Sequence, residues 1–260
     1  MVANILGDLT VDADKELIAC GLMPGSWKDS LAAIKSGLSP ADWDRFSRLH
    51  RSFVSYNSPD TLSRFYTFVF SHGLQLDINR PRFGRLAGIL TVLAEEIPTG
   101  ISILDLGAGS GLIATIVKQH QSPLNYTVQD TCAEVRIFLE KKGFSVLAHP
   151  APIAPDKLFD LILCIDSLGE INADEDGRLS ENSEADASEF ALLMEERYGI
   201  LEKLDPWKAY LNPQGRVLIW EPFKHNRVWE ALISLLERAS WKVALRFDAS
   251  GRPFLELRQT

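Results

Sequence analysis

Nine residues, Ile103-Leu104-Asp105-Leu106-Gly107-Ala108-Gly109-Ser110-Gly111, constrain the fold of this chain more than any other stretch. The apolar, β-branched run from Ile101 to Leu106 predicts a buried parallel strand, with Asp105 near its carboxyl end. Three glycines at alternate positions follow, where backbone can approach a ligand without interference from Cβ. Leu112 to Val117 then begins an apolar-periodic helix. Strand, glycine turn and helix in this order form the frame that binds a nucleotide-like cofactor outside the carboxyl ends of a parallel sheet. A glycine turn also serves packing alone in a βα unit, so later motifs must decide between the two uses.

A dinucleotide fingerprint, GxGxxG, requires glycine at position 112, which is Leu112 here. The pattern is instead D-x-GxGxG, and it resembles the first motif of the class I S-adenosyl-L-methionine (SAM)-dependent methyltransferases. The resemblance implies an α/β, three-layer, Rossmann-like methyltransferase fold, with a mostly parallel seven-stranded sheet and an antiparallel C-terminal hairpin. It also implies that Gly107, Ala108, Gly109 and Gly111 lie against the amino-acid part of SAM, which Asp105 helps to hold. SAM has no pyrophosphate to set at the helix N-terminus, which accounts for the different glycine spacing.

Leu124 to Gln129 reads as the second strand and ends at Asp130, 19 residues beyond Gly111. An interval of about 20 residues is where such folds set an acid on the ribose hydroxyls. Asp130 also suits an N-cap for a helix over Thr131 to Lys142, and the two roles are compatible. The resemblance puts Thr131 at the cofactor too. Phe144 to Ala148 is the third strand. The family often follows it with an acid for the adenine amino group. Here His149-Pro150-Ala151-Pro152 follows, with no acid before Asp156, so adenine would rest on backbone and apolar groups near Ala148 to Ala151.

Leu158 to Asp166 is the fourth strand, opened by a Phe-Asp pair and followed by Ser167-Leu168-Gly169-Glu170-Ile171. Methyltransferases acting on nitrogen of nucleobases or glutamine usually carry N/D-P-P-Y/F at this point. This chain has no proline there and looks more like the small-molecule branch. Asp166 and Ser167 are candidate cofactor contacts, with a helix cap as the other reading of Asp166. A turn at Asn212-Pro213-Gln214-Gly215 precedes the fifth strand, Arg216 to Pro222. A helix over Asn226 to Ala239 is followed by a hairpin of Trp241–Phe247 and Pro253–Arg258. The resemblance covers about residues 82–260.

The resemblance does not extend to residues 1–80, which read as a helical N-terminal cap ahead of a methyltransferase domain at 81–260. Helices are predicted over Asp12–Cys20, from Trp27 to about Ser36, from Ser39-Pro40 to Tyr56, and onward from Ser58-Pro59. An amphipathic helix from Pro81 to Glu96 leads into the first strand. The family often draws a residue near the SAM carboxylate from this region, and Arg80, Arg82 and Arg85 are the candidates.

The net charge of −8 is unevenly spread. Nine acids and two arginines fall between Asp174 and Arg197, around a polar, acidic loop insertion at about 172–187. That loop is read as either a lid or a solvated segment. Between Arg45 and Arg85, seven arginines face two acids, with aromatics such as Phe46, Phe53, Phe65 and Phe68 interleaved. Either the aromatics pack inward in a helical cap, or the stretch docks an anionic or aromatic substrate such as RNA. No apolar run approaches the roughly 20 residues that span a bilayer, and the N-terminus lacks the features of a secretory signal. Cys20, Cys132 and Cys164 are too few and too scattered for a disulfide framework or a zinc site. A cytoplasmic protein with no metal is expected.

The function expected is methyl transfer from SAM to an oxygen or nitrogen of a small molecule. Such a reaction needs alignment and exclusion of water more than covalent help. A proton acceptor is required only when the attacking group is protonated. His225, beyond the fifth strand, and Glu170, beyond the fourth, are the candidate catalytic groups, with His50 and His72 behind them. The alternatives are an RNA or protein methyltransferase docking through residues 45–85, and a non-catalytic binding module on the same fold.

Overall fold

The computed structural model describes residues 12–56, 59–98, 100–120, 125–148, 157–168, 187–223 and 226–260. Seven strands form one sheet: β1 (Ser102–Leu106), β2 (Asn125–Gln129), β3 (Ser145–Val146), β4 (Phe159–Ile165), β5 (Leu211–Trp220), β6 (Trp241–Phe247) and β7 (Pro253–Gln259). Their order is β3-β2-β1-β4-β5-β7-β6. The sheet is mostly parallel with an antiparallel C-terminal hairpin, as expected. The chain divides into two compact units, one of residues 1–101, 108–149 and 248–250, the other of 102–107, 150–247 and 251–260.

The first unit carries α1 (Ala13–Ala19), α2 (Trp27–Gly37), α3 (Pro40–Tyr56), α4 (Pro59–Ser71), α5 (Phe83–Glu96), α6 (Leu112–His120) and α7 (Ala133–Lys141). Local caps fix several starts. Ser26 and Asp29 form a reciprocal capping box on α2, and Ser39 Oγ accepts the Asp42 N–H at 3.2 Å ahead of α3. Pro81 lies in a 3-10 turn, Asp77–Arg82, so α5 starts two residues later than its pattern suggested. Ile34, Phe46, Phe65, Phe68, Val69 and Leu74 form a buried cluster under α2, α3 and α4. Each fully buried large side chain contributes about 1.5–3 kcal/mol, which makes this cluster the main support of the N-terminal helices. Phe70 of α4 meets Phe138 of α7 edge-on, their centroids 5.0 Å apart.

Two further predicted elements of this unit are also shorter than expected. β3 spans only two residues, paired Thr127 to Ser145 and Val128 to Val146, although the Leu147 N–H still donates to Val128 O at 2.8 Å. α7 starts at Ala133, with Cys132 and not Asp130 at the N-cap position. The cause is local: Asp130 Oδ1 accepts the Cys132 N–H at 2.9 Å and holds Thr131 and Cys132 in a turn before the helix.

In the second unit β1 pairs with β4 and β4 with β5, all parallel, while β7 pairs antiparallel with both β5 and β6. The predicted Asn212–Gly215 turn is a bulge inside a longer β5. Phe159 pairs with Leu211, yet Leu161 pairs with Arg216, so the intervening residues loop out of register. Gly215 is required there, since a Cβ would come within 2.9 Å of the Asn212 and Phe159 carbonyl oxygens. The stretch from residue 187 to 204 forms two helices, α8 (Ala187–Tyr198) and α9 (Ile200–Leu204), broken at Gly199, whose φ is +57°. The Leu201 N–H freed by the break donates to Glu195 Oε2 at 2.9 Å. α10 (Asn226–Arg238) buries Val228, Trp229, Ala231, Leu232, Leu235 and Leu236, packing on α8 and β6. Among the described residues no helix is long and apolar enough to cross a membrane.

Candidate cofactor site

β1 and α6 are joined by the glycine turn, and all three of its glycines have positive φ: +66° at Gly107, +52° at Gly109 and +64° at Gly111. Only glycine adopts that region without strain, but the three do so for different reasons. A Cβ on Gly111 would lie 2.6 Å from Leu139 Cδ2 and 3.3 Å from the Phe144 ring. A Cβ on Gly107 would lie 2.4 Å from Ser167 Cβ. Protein neighbours therefore demand glycine at 107 and 111, the packing use of the turn. Gly109 stands apart because its amide donates to Asp130 Oδ2 at 3.1 Å.

Asp130 is 8% exposed, and its two oxygens are divided between the turn and the start of α7. Burying a carboxylate is costly unless hydrogen bonds compensate it, and these two backbone donors do so. The turn is held further by Ala108 N–H donating to Gln129 O at 3.1 Å, and by Gly111 N–H donating to Ala108 O at 2.9 Å. Thr131 is exposed on the segment between Asp130 and α7. Arg136 Nη1 donates to both the Asp130 and Thr131 carbonyls at 2.7 Å, fixing that segment from the helix side.

Asp105, Gly107, Asp166 and Ser167 lie in the second unit. Asp105, on β1, is 3% exposed. Asp166 follows β4 with φ +51°, an uncommon conformation for a residue other than glycine. Its N–H donates to Trp220 O at 2.9 Å. The Ser167 hydroxyl donates to Cys164 Sγ at 3.0 Å. Cys164 is a core residue: burial first, then the neighbouring Glu221 carboxylate, pushes its thiol far above the ordinary range. Glu221, just beyond the end of β5, is 6% exposed. Its Oε1 accepts the Ser167 N–H at 3.1 Å and the Leu168 N–H at 3.0 Å. The Glu-Pro ending of β5 was visible in the sequence, but nothing local pointed to partners more than fifty residues earlier.

The remaining candidates sort as follows. Glu170, His225, residues 149–151 of the segment expected beside adenine, and the acidic loop lie outside the described residues. His50 stacks among Trp27, Phe46 and Phe65, at 5.0, 5.9 and 5.8 Å between centroids, and burial lowers its imidazole below the ordinary value. His72 Nδ1 lies 2.9 Å from Phe68 O at the end of α4, and its ring stacks on Phe68 at 3.9 Å. Both histidines are half-buried against aromatic rings of the N-terminal helices. Arg80 is paired with Asp77 at 2.8 Å. Phe46, Phe65 and Phe68 are part of the buried cluster and Phe53, Tyr66 and Phe70 pack against it, whereas Arg45, Arg48 and Arg51 are exposed on α3. Among the described residues no group of three or more His, Cys, Asp or Glu is placed to hold a metal.

The strand order, the antiparallel hairpin and the glycine turn followed by an acid after β2 define the class I methyltransferase fold. The sequence profile of the methyltransferase-domain family matches residues 78–249, well over half of the chain, and the chain belongs to that family. Curated protein sequences give no match. Similar solved structures include a ribosomal protein L11 methylase from Lactobacillus delbrueckii subsp. bulgaricus, 17% identical, covering 68% of this chain and 80% of its own, at a TM-score of 0.46. Human N-acetylserotonin methyltransferase in complex with SAM is 12% identical, covering 88% and 70%, at 0.48. A methyltransferase from Pyrococcus furiosus is 15% identical, covering 66% and 81%, at 0.43. At these identities and scores they say nothing of the substrate.

Proposed function

We propose that this chain is a SAM-dependent methyltransferase acting on an oxygen or nitrogen of a small molecule. The observation that carries the reading is the Asp130 carboxylate tied to the Gly109 amide at the centre of the turn. The donor set suits SAM: buried carboxylates at 105 and 130 match an ammonium group and a ribose diol, and a glycine turn leaves backbone accessible. Asp105, Gly107, Ala108, Gly109, Gly111, Asp130, Thr131, Asp166 and Ser167 are the residues proposed to hold it. SAM supplies a methyl group already activated on a sulfonium sulfur.

The chain's own contribution is then to bind, orient and exclude water, which brings the acceptor atom in line at a high effective concentration. Glu170 and His225 are proposed as proton acceptors for an acceptor group that is protonated when it attacks. Residues 1–80 are proposed as a cap that selects the acceptor, with the methyltransferase domain beginning near residue 81. Two observations favour a small molecule over RNA: proline is lacking after β4, and Phe46, Phe65 and Phe68 are buried, with Phe53, Tyr66 and Phe70 packed against them, instead of standing free to stack on bases. The cytoplasm is the proposed setting. Calorimetric titration with SAM and with S-adenosylhomocysteine tests the reading. Micromolar binding of both is expected, and binding of neither would leave a non-catalytic module as the better account.

A further inference from the structure

The loop after β4 is held in an unusual way. Asp166 is in the left-handed region at φ +51°, a conformation that costs free energy in a residue with a side chain. Ser167 then presses against the glycine turn so closely that any Cβ at position 107 would overlap its own, at 2.4 Å. A loop in this state persists only when its surroundings fix it. Three contacts do so: Asp166 N–H to Trp220 O, and the consecutive N–H groups of Ser167 and Leu168 to one oxygen of Glu221. Glu221 immediately follows Trp220, so all three come from the carboxyl end of β5. The carboxylate is 6% exposed, so these charge-assisted hydrogen bonds form away from water, where they are strongest.

We propose that Glu221 is a positioning residue for the amino-acid part of SAM. It acts through the Asp166–Leu168 loop, whose Ser167 forms the wall against Gly107. The inference rests on the SAM-binding reading, in which the first glycine of the turn faces that part of the cofactor. Glu221 itself touches no ligand in this account. Its oxygen fixes two consecutive amides, and those amides set how far Ser167 stands from the turn. Loss of the acceptor leaves one buried and one partly buried N–H group without it and lets the strained loop relax, which changes the space beside Gly107.

The test compares two ligands that share adenosine and differ in the amino-acid part, S-adenosylhomocysteine and 5′-methylthioadenosine. Both are titrated by calorimetry into the full-length protein and its Glu221→Ala, Glu221→Gln and Glu221→Asp variants. Glu221→Ala is expected to weaken S-adenosylhomocysteine by about tenfold or more, the scale of losing a charge-assisted hydrogen bond. The affinity for 5′-methylthioadenosine should stay within about twofold, well below that tenfold scale. Glu221→Gln keeps an amide oxygen for the two N–H groups and should restore most of the loss. If Glu221→Ala does not fold, Glu221→Asp carries the comparison. It pulls the acceptor back by one methylene and should show a smaller loss confined to S-adenosylhomocysteine. Equal weakening of both ligands, unchanged affinity for S-adenosylhomocysteine, or a glutamine variant as weak as alanine would each overturn the proposal. Failure of the unaltered protein to bind S-adenosylhomocysteine would instead sink the SAM reading itself.

Discussion

Two carboxylates of the second unit each accept hydrogen bonds from distant segments, at opposite ends of the strands. Asp160, near the amino end of β4, accepts the Ser102 N–H at 2.8 Å and the Asn212 side-chain amide at 2.5 Å. Glu221, after the carboxyl end of β5, accepts the Ser167 and Leu168 N–H groups at 3.1 and 3.0 Å. Each joins segments more than fifty residues apart, and each satisfies backbone that would otherwise be left unpaired. What separates them is the strand end. Asp160 anchors the entry of β1 and the β5 bulge, whereas Glu221 anchors the loop whose Ser167 adjoins Gly107. Similar chemistry therefore predicts a purely structural residue in one case and a ligand-positioning residue in the other, because parallel sheets bind at their carboxyl ends.

The largest effect expected is at the turn itself. Gly109→Val forces a β-branched side chain into a backbone of φ +52° and puts a Cβ where the cofactor is proposed to approach. SAM binding should fall by at least about 100-fold, or roughly 2.7 kcal/mol, with the circular dichroism spectrum retained. A folded variant of unchanged affinity would remove the turn from the site, and with it the meaning of the carboxyl end in the comparison.

Asp130 comes next. Asp130→Ala removes the acceptor for the Gly109 and Cys132 amides and for the proposed ribose contact. A loss of roughly 1.5–3 kcal/mol in SAM affinity is expected, the range for hydrogen bonds to a charged group. Lower thermal stability with no change in affinity would reduce Asp130 to the same structural role as Asp160.

The contrast between Asp130 and Glu221 also marks what the sequence discloses. Asp130 was legible because its distance from Gly111 follows from one βα unit of ordinary length, and that spacing is local information. The strands, the C-terminal hairpin and the helix starts at Pro40 and Pro59 were legible for the same reason: each rests on periodicity or a cap within a few residues. Glu221 was not, because its partners lie across the sheet and only the pairing of β4 with β5 brings them together. The Asn212–Gly215 bulge was read as a turn because its composition is that of a turn, and only the register with Phe159 and Leu161 shows it to lie within a strand. The packing duty of Gly107 and Gly111 was equally hidden, since Ser167, Leu139 and Phe144 are distant in sequence.

A third experiment sets the two ends directly against each other. Asp160→Ala should destabilise the fold by about 1–3 kcal/mol in urea melts, the cost of leaving a buried donor unsatisfied. The same variant should bind SAM within about twofold of the unaltered protein, far inside the tenfold that 1.4 kcal/mol represents. Weakened SAM binding, measured where the variant is still fully folded, would show that the amino end also shapes the site.

The smallest effect concerns pH and isolates the charge of Asp160. Burial alone would raise its carboxyl, but the hydrogen bonds from Ser102 and Asn212 outweigh that and hold it below the ordinary value. A group whose pKa is depressed by folding adds stability above its unfolded value, near 3.9 for aspartate, and loses it as pH falls through the folded value. Asp160→Asn keeps the shape and removes the charge. It should therefore cost about 1 kcal/mol or less at neutral pH, since one oxygen still accepts the Ser102 amide. That difference should stay flat down to about pH 5 and shrink below about pH 4, where the unaltered protein loses its own charge. Urea midpoints of both proteins from pH 3 to 7 measure it directly. A difference that persists unchanged at pH 3 would mean that the geometry of the side chain, and not its charge, closes the amino end of the sheet.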